Sequence, residues 1–162
     1  MDARTIVPRR TALLAALATA LAASVAAPAA PAAAAADDGA ALFGQHCAAC
    51  HGPAGAGVPG MAPALAGPLA PLFGSEDGRR YVRDVLLHGL SGRIVSQGQV
   101  FVGAMSPQAR LGDAELAAIA SHLAAGLNGH AEPGLAAEDF ARARQARPSH
   151  KELRERRSRL MP

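Results

Sequence analysis

The sequence has no tryptophan, one tyrosine and four phenylalanines in 162 residues. So few aromatics predict a thin core, and a two-domain enzyme with two large cores is not expected at this length. Only two cysteines are present, which excludes a disulfide-dense secreted scaffold. What is in excess is alanine, with 41 residues making up about half of the hydrophobic fraction. The formal net charge of +3 invites a nucleic-acid partner until the charges are placed along the chain. Residues 1–36 carry three Arg against Asp2, net +2. Residues 37–141 carry five Arg against ten Asp or Glu, net −5. Residues 142–162 carry seven Arg and Lys151 against Glu152 and Glu155, net +6. The middle of the chain is acidic, so no nucleic-acid face is expected.

Residues 1–36 have the order of a secretory signal peptide. A positive start ending in Arg9-Arg10 leads into an uncharged, mostly apolar run from Thr11 to Ala27. Pro28 and Pro31 break that run, and Ala32 to Ala36 offers A-x-A cleavage patterns. The run is short and Ala-rich against the ~20 residues of a membrane span. An uncleaved membrane anchor is the alternative. The expectation is export, with the mature chain starting near Asp37 in the periplasm.

Both cysteines fall in one pentapeptide, Cys47-Ala48-Ala49-Cys50-His51. C-x-x-C-H is the attachment signature of c-type haem. On a helical turn the two thiols lie on one side, where each closes a thioether to a vinyl group of the porphyrin. His51 follows directly and is the proximal iron ligand. A structural zinc site needs further ligands, and there is no other cysteine. A redox dithiol needs a βαβ context that the sequence does not show.

From Asp38 to about Gly126 the chain resembles a small class I cytochrome c. The resemblance rests on Gly39, Phe43, the Cys47–His51 motif, Gly52, Gly55, Gly57, Pro63-Ala64-Leu65-Ala66-Gly67 and Met105. The stretch from Leu86 through Gly92 to Gly98-Gln99 is also similar to cytochrome subunits of periplasmic dehydrogenases. The resemblance implies a cytochrome c fold, all-α, with three core helices around one covalent haem. An extra C-terminal helix and tail follow. With the leader read above and the residues beyond the resemblance, the expected division is a signal peptide over 1–36, a cytochrome c domain over 37–130 and a C-terminal helix and basic tail over 131–162.

The distal ligand implied by the family is a Met well downstream, just before the C-terminal helix of the domain. Met105 holds that position; Met61 lies in the Gly- and Pro-rich loop and Met161 in the tail. Ser106 stands between Met105 and Pro107, where the family has Met-Pro. By the same resemblance the Pro63 carbonyl accepts the Nδ1 proton of His51, and Leu65 packs on the haem face. The metal ligands implied are thus His51 and Met105, with Cys47, Cys50, Pro63 and Leu65 completing the haem site. His46, His88, His122, His130 and His150 are expected to be surface or packing residues.

Helical patterns dominate the rest. A first helix is expected from a cap at Asp37 or Asp38 to about Cys50, a second from Ser75 to about His88, and a third from an Asp113 cap to about Ala125. Residues 52–74 hold six Gly and five Pro and are expected to be irregular. Residues 89–112 read as a Gly-rich loop in which Gln99–Val102 can pair as a short ribbon. Residues 136–147 read as a short helix with acidic start and basic end. Ser149 with Glu152 suggests a capping box, but the basic residues after Pro148 read as a solvated, partly disordered terminus. An electrostatic arm for an acidic partner or anionic lipid is the alternative.

The function these features imply is electron transfer by a monohaem carrier, not an enzyme. Donors would be periplasmic dehydrogenases, and acceptors oxidases or reductases. The alternative is a haem protein with an open sixth site, a gas sensor or a small peroxidase.

Overall fold

The computed structural model describes Met1, residues 32–131 and residues 134–161. Most of the expected leader, residues 1–36, lies outside the described residues. Helices α1 (Ala32–His46), α2 (Ala48–His51), α3 (Ala70–Phe73) and α4 (Glu76–His88) are followed by strands β1 (Leu90–Ser96) and β2 (Gln99–Met105). Helix α5 (Asp113–Ser121) runs on into a π-helical turn, His122–Gly126, and α6 (Ala137–Ala143) and α7 (His150–Leu160) complete the order. Among the described residues no helix is long and apolar enough to cross a membrane.

The fold is helix-rich, but the all-α expectation is corrected by the ribbon. Strands β1 and β2 pair antiparallel over seven residues each, with Leu90 opposite Met105 and Ser96 opposite Gln99. The connection is two residues, Gln97 and Gly98, at φ 49° and 75°. Two positive φ values in succession give the mirror-image turn that matches strand twist, so residues 90–105 of the loop expected over 89–112 form a hairpin.

Helix α4 forms where expected. The Ser75 hydroxyl accepts the Gly78 N–H at 3.1 Å, and Glu76 and Asp77 in the first turn complement the helix dipole. Its buried face carries Tyr81, Val82, Leu86 and Leu87. Helix α1 begins at Ala32, upstream of the expected cap. Helix α5 is capped by Gly112, whose N–H donates to the Glu115 carboxylate at 2.7 Å. Asp113, expected as the cap, instead accepts from Arg144 Nε at 2.7 Å. Arg144 also donates to the Ala109 and Leu111 carbonyls, so it ties the end of α6 to the start of α5.

Helices α1 and α5 pack on each other around Phe43, Leu116, Ile119 and Ala120, all essentially sealed from water. Gly39 is the contact point: a methyl there would overlap the Ala118 carbonyl. Gly39→Ala is expected to force the helices apart at a cost of about 1–3 kcal/mol, read as a lowered denaturation midpoint of the haem-loaded protein. A midpoint unchanged or raised would refute this close approach.

His122 packs on Phe43 with ring centroids 5.4 Å apart. Burial lowers its pKa below the ordinary 6.5, and burial lowers that of His88 as well. Each binds a proton less readily folded than unfolded. Stability is therefore full above the unfolded pKa and falls as pH drops from there toward the folded pKa. Urea midpoints at about pH 7.5 and about pH 5.5 should show this loss. His122→Phe is expected to shrink it; an equal loss in the variant would show that His122 contributes nothing.

The C-terminal region folds onto the same core, which corrects the solvated-tail expectation. The capping box closes in both directions: Glu152 N–H donates to Ser149 Oγ at 3.2 Å, and Ser149 N–H to Glu152 Oε2 at 2.7 Å. Leu153, Arg157 and Leu160 recur at helical spacing, and α7 turns this face to α4 and β1. Phe140 and Leu153 are fully buried. Asp84, itself buried, accepts from Arg83 and from Arg156, both at 2.8 Å. Two further arginines cover the outer edge of β1. Arg154 donates to the Ser91 carbonyl, and Arg157 to the Val95 carbonyl at 3.3 Å. In this register those carbonyls face away from β2.

Candidate functional site

A cavity of about 430 Å³ opens between the Cys47–His51 turn, the loop after it, α4 and the ribbon. Cys47, Cys50, His51, Pro63, Leu65 and Met105 all line it. Its apolar wall comes from Leu69, Val82, Leu86, Leu90, Ile94 and Phe101, among others. The volume and lining are those of a pocket for a cofactor-sized molecule.

Helix α1 stops at His46, and Cys47, at φ −121°, starts a separate turn. The His51 N–H donates to the Cys47 carbonyl at 2.9 Å. Cys47 and His51 are buried while Cys50 is exposed. Burial, with the neighbouring Cys50 adding to it, pushes the Cys47 thiol up to about 11. In the folded chain that thiol is protonated at neutral pH, unlike the activated thiol of a redox dithiol. Among the described residues no group of three His, Cys, Asp or Glu is placed to hold a metal ion.

His51 Nδ1 lies 2.9 Å from the Pro63 carbonyl oxygen. A carbonyl only accepts, so Nδ1 carries the proton and Nε2 keeps its lone pair. Gly57 makes this contact reachable. It sits at φ +80°, and any side chain there would strike the Pro63–Ala64 peptide. Leu65 is held from two sides: its N–H donates to Gly55 O at 2.8 Å, and its carbonyl accepts from Asn128 Nδ2 at 2.9 Å. Asn128 also donates to Leu123 O at 2.7 Å, linking the loop to the π-helical turn.

Met105 is half-buried at the end of β2, opposite Leu90. Gly89, at φ +71°, lets α4 end against the Met105 carbonyl, where a side chain would collide. Met61 also lines the cavity but is 61% exposed. Met161 lines a different cavity and accepts from Arg157 Nη1 at 3.2 Å.

Residues 34–123 match the family described as cytochrome c oxidase, cbb3-type, subunit III. The chain belongs to this cytochrome c family. Two curated relatives, both named cytochrome c-552 and both from Thermus thermophilus, are 46% identical to the cytochrome over 87 residues. The alignment covers 54% of this chain and spans 66% and 58% of the two relatives, less than two thirds of either.

Family membership gives the cytochrome covalently bound haem c with its iron. The residues present fit that group. Two thiols and an imidazole with a free Nε2 share a wall of a mostly apolar cavity, and a thioether lies on the same cavity.

Sequence reasoning missed Tyr81, Phe101, Arg110 and Arg157 as cavity residues, and Asn128 as the support of Leu65. For Arg157 there was a signal, the spacing Leu153–Arg157–Leu160 behind a capping box. For Asn128 there was none, because both of its partners are backbone carbonyls.

Proposed function

We propose that this cytochrome is an exported monohaem electron carrier, not an enzyme, with His51 and Met105 as the axial ligands of the iron. The observation that carries the proposal is the His51 Nδ1–Pro63 bond at the cavity shared with both cysteines and Met105. Bound haem supplies one-electron Fe(III)/Fe(II) exchange. The chain's part is to hold it. Cys47 and Cys50 fix the ring through thioethers. The Pro63 carbonyl accepts from His51 Nδ1–H, which would leave Nε2 for iron. Leu65 would pack on the ring, and Met105 would hold the iron with a soft sulfur that favours the reduced state.

With both axial positions taken, the partners are other redox proteins. In this reading the donor is a periplasmic dehydrogenase and the acceptor an oxidase or reductase. The acidic stretch 37–141, net −5, suits a partner face bearing Lys and Arg, met in a weak, transient encounter. The site of action is the periplasm, reached by the leader over 1–36.

Visible spectroscopy with carbon monoxide tests the proposal. The reduced protein at neutral pH is expected not to bind carbon monoxide, and the oxidised protein to show the weak red-edge band of iron–thioether bonding. Carbon monoxide binding together with absence of the band would establish an open sixth site.

A further inference from the structure

Arg157 is only 7% exposed, yet its guanidinium is poorly satisfied. Nη1 donates to the Met161 sulfur at 3.2 Å and Nη2 to the Val95 carbonyl at 3.3 Å, while Nε is buried without a partner. Among the described residues Arg157 is the one buried arginine, and it has no carboxylate within ion-pair distance, whereas the half-buried Arg83, Arg144 and Arg156 each pair with one. Tyr81 does not supply the missing charge. Burial raises its hydroxyl pKa, and the charge and hydrogen bonding of Arg157 only partly oppose that, so the phenol is a neutral neighbour and not a counter-charge.

A buried cation without an anion is strongly unfavourable. Arg157 lines the haem cavity, and the other ionisable residues there are His46, Cys47, Cys50, His51, Tyr81 and Arg110, with no carboxylate among them. The counter-charge therefore has to come from the occupant. Haem carries two propionate carboxylates, and a guanidinium is well suited to a planar anion. Resting on the haem reading above, we propose that Arg157 binds a haem propionate, which makes α7 part of the cofactor site. Arg157 lies outside residues 34–123, the stretch that matches the family. The contact belongs to this chain's C-terminal region.

Arg157 is a positioning residue, and the pH profile of the midpoint potential reads its effect. Protonating a propionate removes negative charge near iron and raises the potential, so the potential falls with rising pH across the propionate pKa. Haem-loaded wild type, R157K, R157Q and R154Q are compared. An opposite charge at close range lowers a carboxyl pKa by about 1–3 units, so the sloping window should move up by about that much in R157Q. R157K keeps the wild-type window. R154Q removes the other α7–β1 contact and should also keep it. An unmoved window in R157Q, or an equal move in R154Q, overturns the proposal.

If R157Q fails to load haem, the wild type answers alone. With haem labelled with carbon-13 at the propionate carboxyls, infrared titration should find one carboxylate ionised well below the ordinary carboxylate range. Ordinary titration of both overturns the proposal. An alkaline pyridine spectrum of each preparation reports covalent haem independently, which separates failure of this contact from failure of the haem reading.

Discussion

Met105→Ala is expected to abolish the red-edge band and to lower the midpoint potential by on the order of 0.2 V, since axial ligands set haem potentials over ~0.8 V. The soft sulfur stabilises Fe(II) more than Fe(III), and water or an empty site in its place does not. The fold should survive the change. Met105 is the last residue of β2 and only half-buried, and its backbone pairing with Leu90 does not depend on the side chain. The variant should also bind carbon monoxide when reduced. Met61→Ala is the matched control, because Met61 lines the same cavity and is largely exposed. It should keep both band and potential. If Met61→Ala loses the band and Met105→Ala keeps it, the ligand assignment is reversed.

Cys47→Ala/Cys50→Ala, which leaves no thiol for attachment, is expected to be poorly folded. The cavity of about 430 Å³ would then be empty or wet. At ~24 cal/mol per Å³ an unfilled cavity of this size costs up to about 10 kcal/mol, against a net stability of ~5–15 kcal/mol for a typical domain. The substitutions themselves are mild. Cys50 is exposed, and Cys47 loses only its sulfur. Far-ultraviolet circular dichroism should therefore show most of the helical signal gone relative to the haem-loaded protein. A near-native signal would mean that the few aromatic and aliphatic residues hold the helices without haem.

The lining of the candidate site was largely legible in the sequence because most of it is local. Cys47, Cys50 and His51 are carried by one turn, and Pro63 and Leu65 follow within fifteen residues on a loop whose glycines dictate its path. Met105 came only through family likeness, since nothing in the residues between 51 and 105 shows how the chain returns to the cavity. The ribbon was half-legible. Its apolar run was visible, but Gln97-Gly98 is a weaker turn signal than Asn-Gly, and Arg93 and Gly92 break the alternation of β1. Asp113 failed as a cap because Arg144, 31 residues later, draws its carboxylate away, a long-range pull that no local propensity records.

The C-terminal helix was misjudged for a related reason. Its charges suggested water, but Asp84 and the β1 carbonyls take up Arg154, Arg156 and Arg157, and Leu153 anchors them. A charged segment is solvated only if the rest of the chain offers it no acceptors.

The arginines on the edge of β1 join two parts of the chain that lie far apart in sequence. The ribbon is only two strands wide, and on its own such a hairpin is at best marginally stable. Release of α7 is therefore expected to loosen the ribbon before the α1–α5 crossing, and amide hydrogen exchange would read it. Slow breathing of the cytochrome would thus start at its C-terminus and uncover the cavity from the ribbon side, leaving the Cys47–His51 turn in place.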